Sequence, residues 1–411
     1  MMEPQRAGRG DATLAFLREG YAFIPNRCAR LGTDAFRTRI MLRDAVCLTG
    51  PRGVRLLYGA PGLTRRGAMP RSVLHLLQDE GSIQTLDGAA HHRRKALFWD
   101  MLGSGGAAAA LAARFEEDWT ARLLRERETC VLHSASYALA TVAARWAGLG
   151  RDLSGDPRFR RDLFLMVDRA GRVGPELLRA LGRRRRAERR VAAALDAGVP
   201  PDSPAGRIAA FVEDGRPLPR DVAVVEILNL LRPVTAIGRY MAFAARRLVI
   251  DPVWRERLAV ADDEGLRRFA EEIRRTAPFF PLIGAIATEP VVHEGLTLAP
   301  GQWVLADLWG TMQDPARFPD PQAFRPDRDL DWRAGDDSFV PQGGGVVSTT
   351  HRCPGDPVSV ALIVAALRVL CRRVDWTAPP QDLSVSLSRM PAQPASGVRL
   401  SGLAAATAPR P

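Results

Sequence analysis

The residues able to do chemistry fall in separate stretches. From Phe339 to Asp356 the chain reads FVPQGGGVVSTTHRCPGD, so Cys353 follows a glycine-rich loop and precedes the helical pattern Val358 to Val374. A thiol at a helix start has its anionic form favoured by unpaired backbone N–H groups and the helix dipole. Glycines before it let the backbone approach a flat ligand closely. Such a cysteine can be a nucleophile, a metal ligand or an inert buried residue. A second stretch, Asn229 to Ile237, puts Arg232 next to Pro233 inside an apolar run. A proline within a helix costs about 3 kcal/mol and removes a backbone hydrogen bond. A buried arginine needs an anion, whether a ligand or an internal carboxylate, unless its head snorkels out. A third pair, Glu272 and Arg275, is spaced to share one helix face, and by itself reads as a surface ion pair. Arg328, in Phe324-Arg-Pro-Asp-Arg328, adds a guanidinium able to join a buried carboxylate network.

Positioning these groups calls for a long helical middle framed by mixed ends. Residues 42 to 60 alternate short apolar runs with Gly and Pro and predict a small hairpin. From about 104 to 250 the apolar period is helical. Val222 to Val249 predicts one long central helix, roughly 40 Å at 1.5 Å per residue. After Ala277, short strands are predicted at Ile283 to Thr288, Val291 to Leu296 and Gln302 to Leu305. No repeat and no linker stands out, so residues 1–411 read as one domain, mainly α with small β-sheets, with fraying tails at 1–10 and 403–411.

Composition narrows the function classes. The 411 residues are 46% hydrophobic and 25% charged, the profile of a globular protein with a large core. Five scattered cysteines without a CxxC argue against a disulfide framework or zinc ribbon and fit a reducing cytoplasm. The net charge of +12 rests almost wholly on arginine, because Lys95 is the only lysine. The basic run Arg183 to Arg190 reads as a solvated helix face. Without interleaved aromatics or a basic reading helix, no nucleic-acid partner is expected. The polar first residues hold no signal-peptide core. The central apolar stretch carries Glu226, Asn229, Arg232, Arg239, Arg246 and Arg247, too many polar groups for a membrane span.

Glu272-x-x-Arg275, Phe324-x-Pro-Asp-Arg328 and the loop ending His351-Arg-Cys353-Pro-Gly, in that order, together resemble the haem-thiolate signature of cytochrome P450. The resemblance implies the P450 fold, with haem b between the long central helix and the Cys-loop helix. It implies Cys353 as the axial thiolate on iron, flanked by His351 and Arg352, and Glu272, Arg275 and Arg328 as a structural triad beneath the haem. A thiolate axial ligand favours O–O cleavage. His91 and Lys95 match the family's positions that meet the haem propionates. Departures lie in the loop: Val346 to Thr350 replaces a more glycine-containing piece, Thr350 precedes His351, and Asp356 stands where Glu is commoner.

Leu231-Arg232-Pro233 followed by Val-Thr-Ala-Ile237 is similar to the fatty-acid peroxygenase branch. So are Leu17 to Tyr21, Pro25 to Arg27, Gly81 to Gly88, Arg172 to Pro175, Pro278 to Gly284 and Asp307 to Thr311. That branch implies hydrogen peroxide as oxidant and no redox partner. The fatty-acid carboxylate pairs with Arg232 and stands in for the acid that oxygen-using relatives carry on this helix, and hydroxylation follows at the α or β carbon. Arg232, Pro233 and Gln84 are the catalytic candidates, Gln84 lying where hydroxylating relatives carry Gln and a decarboxylating one carries His. Val173, Phe279, Phe280 and Leu282 are candidates for an apolar channel, which core packing would explain equally well. Other readings remain open: an oxygen- and redox-partner-dependent monooxygenase acting on another acidic substrate, a fatty-acid decarboxylase, or a haem- or lipid-binding protein without turnover.

Overall fold

The computed structural model describes residues 4–103, 105–172, 174–328 and 337–407. Its strands relevant here are β1 (Gln5–Asp11), β2 (Ala35–Ile40), β3 (Arg43–Leu48), β4 (Leu63–Thr64), β5 (Glu128–Cys130), β6 (Leu282–Ala287), β7 (Trp303–Asp307), β8 (Val374–Thr377) and β9 (Arg399–Ala405). One sheet has the order β1-β2-β3-β7-β6-β4 and a smaller one the order β8-β9-β5. β7 lies parallel to β3 and antiparallel to β6, with Trp303 opposite Ala45 and Ile286. All five of its residues are buried, as its unbroken apolar run Trp-Val-Leu-Ala requires of a strand covered on both faces.

The helices that build the core and the site are α1 (Gly88–Leu102), α2 (Gly106–Leu123), α3 (Val131–Trp146), α4 (Pro157–Asp168), α5 (Pro175–Asp196), α6 (Arg220–Ala236), α7 (Gly238–Ile250), α8 (Asp263–Thr276) and α9 (Asp356–Arg368). α9 is apolar nearly all round and is packed between α2 and α8, as such a helix must be to escape water. α8 starts where the Asp262 carboxylate accepts the Gly265 N–H at 2.8 Å, an N-cap. It ends before Pro278, with Ala277 extended, because the residue before proline avoids the helical region. Among the described residues no single helix is long and apolar enough to cross a membrane.

Several expectations are corrected. The central run does not form one helix: it divides at Ile237 into α6 and α7, leaving α6 about 26 Å long. Pro233 removes a backbone bond one turn before the break. Gly238 begins α7 where a Cβ would collide with Ser136 of α3. Residues 42 to 60 are not a hairpin. β3 pairs with β2 before it, and Gly50–Gly59 is helical. The pattern Val358 to Val374 is helical only to Arg368, continues as a π-turn over Val369–Arg373, and enters β8 at Val374. The tails expected to fray contribute β1, which pairs with β2, and the last residues of β9. The basic run on α5 is not simply solvated. Arg184 is 2% exposed and donates to the carbonyls of Leu76 (3.1 Å) and Gln78 (3.3 Å) and to Glu188 (2.6 Å), while Arg183 and Arg186 clamp the buried Asp162.

Candidate active site

The Cys353 loop is tied to α8 and α9 by a dense polar set. The Cys353 N–H donates to the Gln342 carbonyl at 3.0 Å and the Asp356 N–H to the Cys353 carbonyl at 3.3 Å. Arg274, buried on α8, donates to Glu271 Oε2 (2.5 Å), to Gln342 Oε1 (2.8 Å) and to Asp356. Arg352 donates to Asp356 Oδ2 at 2.6 Å. Burial opposes the charge on Arg274, but Asp356 and Glu271 more than offset it and raise its pKa. Burial likewise opposes the charge on Asp356, yet Arg274 and Arg352 hold its carboxyl below the usual range. The glycines keep this loop pressed on the Gly50–Gly59 helix. Gly343, at φ +98°, abuts the Tyr58 hydroxyl, and a Cβ on Gly344 would collide with Val54. Cys353 is half-buried. In the protein alone, burial raises its thiol pKa, with the Gly355 N–H and Lys95 pulling the other way. The helix-start donors expected to favour the thiolate are therefore outweighed by desolvation until a cation is near.

On the neighbouring face of α8, Glu272, Arg275 and Arg328 come together. Arg275 donates Nε and Nη2 to the two Glu272 oxygens, each at 2.8 Å. Arg328 Nε and the Arg325 N–H add bonds to Glu272 Oε1 at 3.3 and 2.9 Å. The spacing of Glu271 and Arg274 is the same as that of Glu272 and Arg275, so a second buried pair, aimed at the Cys loop, was open to a sequence reading that noticed only the first.

Cationic and imidazole groups meet beside the loop. The rings of His91 and His351 lie 3.9 Å apart between centroids at 32°, and Lys95 Nζ donates to the Arg352 carbonyl. Burial, then the charge of Lys95, pushes His91 down to about 4, and burial lowers His351 further, so both imidazoles are neutral at pH 7. Burial lowers Lys95 to about 8. Arg65, which sequence reasoning missed, lies over the Tyr58 ring at 4.9 Å and donates to the carbonyls of Gly284 (2.9 Å) and Leu57 (3.0 Å). No motif signals it.

On α6, Arg232 is 7% exposed. Its Nη2 donates to Asn229 Oδ1 at 3.1 Å, and among the described residues it has no ion-pair partner. Burial, then the like charge of Arg184, lowers it to about 9, while the Cys353 sulfur pulls upward. The guanidinium thus stays protonated at pH 7 and feels the Cys353 site across the interior. Asn229 Nδ2 donates to Gln84 Oε1 at 3.1 Å and to Glu226 Oε2 at 3.0 Å, so the structure joins Gln84 to Arg232 through one amide. Pro233 is half-buried on the same helix.

Two of the channel candidates, Phe279 and Phe280, pack edge-to-face with ring centroids 5.2 Å apart. Phe279 packs on Tyr240 at 4.7 Å. Phe280 is 43% exposed. Leu282 packs on the sheet cluster around Trp303 and Phe23. Val173 lies outside the described residues.

The cytochrome P450 family model matches residues 265–394, which hold Glu272, Arg275, Arg328 and the Cys353 loop. Curated relatives match only locally. Geranylhydroquinone 3''-hydroxylase of Arnebia euchroma is 32% identical over 123 residues, 28% of this chain and 24% of the relative. Carnosic acid synthase of Rosmarinus officinalis is 27% identical over 116 residues, 27% of this chain and 22% of the relative. The chain thus spans about a quarter of the length of these relatives. Solved structures match end to end. Cytochrome P450SP alpha with (R)-ibuprofen is 33% identical, with TM-score 0.90, over 96% of this chain and 99% of that one. Cytochrome P450EX alpha with myristic acid is 30% identical, with TM-score 0.91, over 99% and 100%. The chain belongs to the cytochrome P450 family. P450 OleT with arachidonic acid is also similar, at 27% identity and TM-score 0.92, over 98% of this P450 and 99% of that chain.

P450s hold haem through a cysteine thiolate, and the donor set of this P450 fits that group. Arg65, His91, Lys95 and His351 form no ion pair with a carboxylate among the described residues, although all four gather at the Cys353 loop. Cations and imidazoles gathered at one place without a carboxylate suit the two propionates of a haem. Cys353 is the thiol carried by that loop.

Proposed function

We propose that this P450 hydroxylates fatty acids at the α or β carbon with hydrogen peroxide, RH + H2O2 giving ROH + H2O, without a redox partner. Cys353 is the iron ligand in this reading, and Arg65, His91, Lys95 and His351 hold the propionates. The observation that carries it is Arg232: a buried guanidinium, charged at pH 7, whose single side-chain bond among the described residues goes to a neutral amide. A lone buried cation is costly unless an anion joins it. A carboxylate accepts its fork in bidentate fashion.

Haem held by the thiolate supplies cleavage of the peroxide O–O bond and insertion of one oxygen into a C–H bond. The protein's part is placement. Arg232 fixes the carboxylate end of the substrate, so only the adjacent carbons can lie near the reacting centre. Gln84 is aimed toward the same place by its bond to Asn229. The Thr235 hydroxyl donates to the Leu231 carbonyl at 2.9 Å and is fully buried, which leaves it tied to its own helix. The Glu226 carboxylate is occupied by Arg94, Asn229 and the Ile83 N–H. The substrate carboxylate is then the acid–base group best placed to move a peroxide proton. A lipid-metabolising role in the cytoplasm accords with this reading, the cysteines all being free.

The test is to give the haem-loaded protein myristic acid and hydrogen peroxide with no reductase or NAD(P)H, and to identify products by mass spectrometry. α- or β-Hydroxymyristic acid is expected, and Arg232→Ala should lose it while keeping its haem. Turnover only with an added redox chain would refute the peroxide route, and an alkene product would replace hydroxylation by decarboxylation.

A further inference from the structure

Asn229 stands between two buried charges of opposite sign. Glu226, Asn229 and Arg232 follow one another at intervals of three along α6, so their side chains form one stripe. Glu226 is fully buried, and both its oxygens are taken. Oε1 accepts Arg94 Nη1 at 2.8 Å and the Ile83 N–H at 2.7 Å, and Oε2 accepts Asn229 Nδ2 at 3.0 Å. Arg94, from α1, neutralises it and reaches on to Glu213 at 2.5 Å. Asn229 Nδ2 has two acceptors, Glu226 Oε2 and Gln84 Oε1, while its Oδ1 meets the Arg232 donor. A flipped amide would set oxygen against two oxygens and N–H against a guanidinium, so the orientation is locked.

We propose that Asn229 is a specificity-determining residue: a neutral amide that keeps the Glu226 charge from Arg232 and so reserves the guanidinium for an anionic substrate head group. A carboxylate at position 229 would sit at hydrogen-bond distance from Arg232 and serve as its internal counterion. Arg94 on one side and Arg232 on the other would bracket two carboxylates, so each would keep its charge. The site would then hold no unpaired cation for a fatty acid, and its preference for an acid over an uncharged analogue of the same length would vanish. Position 229 thus acts through Arg232 and Gln84 rather than by touching the reacting atoms. The inference rests on the carboxylate-anchor reading of Arg232.

Holoenzyme titrated with myristic acid and with myristyl alcohol, followed by the shift of the ferric Soret band, separates the two ideas. Wild type should prefer the acid. Asn229→Asp should raise the Kd for the acid about tenfold or more, the loss of one charge-assisted contact, and leave that for the alcohol within about twofold. The double variant Glu226→Gln/Asn229→Asp, which avoids adjacent carboxylates and keeps the net charge, should behave the same way if the single variant folds poorly. Retained preference for the acid in a folded variant overturns the role of Asn229. Retained preference in Arg232→Ala would instead overturn the anchor itself. Loss in Arg232→Ala with retention in both Asp variants would leave the anchor standing and remove only the insulating role.

Discussion

Glu272→Gln tests whether the triad of Glu272, Arg275 and Arg328 holds this P450 together by charge. The carboxylate is 0% exposed and accepts four bonds: two from Arg275, one from Arg328 and one from the Arg325 N–H. Glutamine has nearly the same shape and keeps one oxygen, but it places N–H donors where an Arg275 nitrogen now donates. Both guanidinium groups retain backbone acceptors. Arg275 reaches the carbonyls of Met312 and Pro321, each at 2.9 Å, and Arg328 those of Asp320 and Ala323, each at 2.8 Å. Their hydrogen bonds thus largely survive, whereas their charge compensation does not. Removing one partner of a buried ion pair costs 3–5 kcal/mol, and the surviving backbone bonds put this case near the lower end, about 3 kcal/mol. That is a large share of a typical stability of about 5–15 kcal/mol. Glu264→Gln on the same helix is the control. Its carboxylate bonds Arg267 and Arg268 at 2.6 to 3.0 Å, but it is well exposed, and such pairs contribute about 0–1 kcal/mol. Urea unfolding of the haem-loaded protein, followed by tryptophan emission, measures both. Equal losses for the two variants, or a loss below about 1 kcal/mol for Glu272→Gln, would refute the assignment of a charge-compensating role.

Gly344→Ala should destabilise by about 1–3 kcal/mol, because its Cβ would drive into Val54 and approach Asp337 Oδ1 at 2.9 Å. An unchanged thermal midpoint would show that the loop has room. Asp307 is fully buried and its carboxyl is pushed up to about 7 by burial, against the Gly310 N–H and the Thr49 hydroxyl. The folded state therefore keeps a proton that the unfolded chain releases near 3.8, and stability should fall as pH rises from about 4 to about 7, then level off. Asp307→Asn should remove up to about 4 kcal/mol of that fall. Parallel urea midpoints for variant and wild type across this range would sink the argument.

Much of the fold was legible because apolar period and punctuation are local. The helical middle, β6, β7 and the helix after Cys353 follow from residue pattern within a window of a dozen residues. What misled was also local. Pro233 and Gly238 flank the break in the central run, where Ile237 keeps helical dihedrals, and the need for glycine at 238 shows only in the close approach of Ser136. β1 and β9 looked like fraying ends because a strand held by a partner carries no signal of its own when that partner is distant in sequence.

For the site, sequence alone determined the identity of the Cys353 loop, the pairing of Glu272 with Arg275, the spacing of His91 and Lys95, and the cost of placing Arg232 beside Pro233. These are statements about residue type and short spacing, which the covalent chain and the helix period impose. Tertiary structure decided the rest. It brought Arg94 to Glu226 across 132 positions and Asn229 to Gln84 across 145, set Arg274 on Asp356 across 82, and left Phe280 exposed. Each such contact depends on how whole elements pack. A buried charge must find its counterion wherever the fold delivers one, and residue order along the chain carries no record of that delivery.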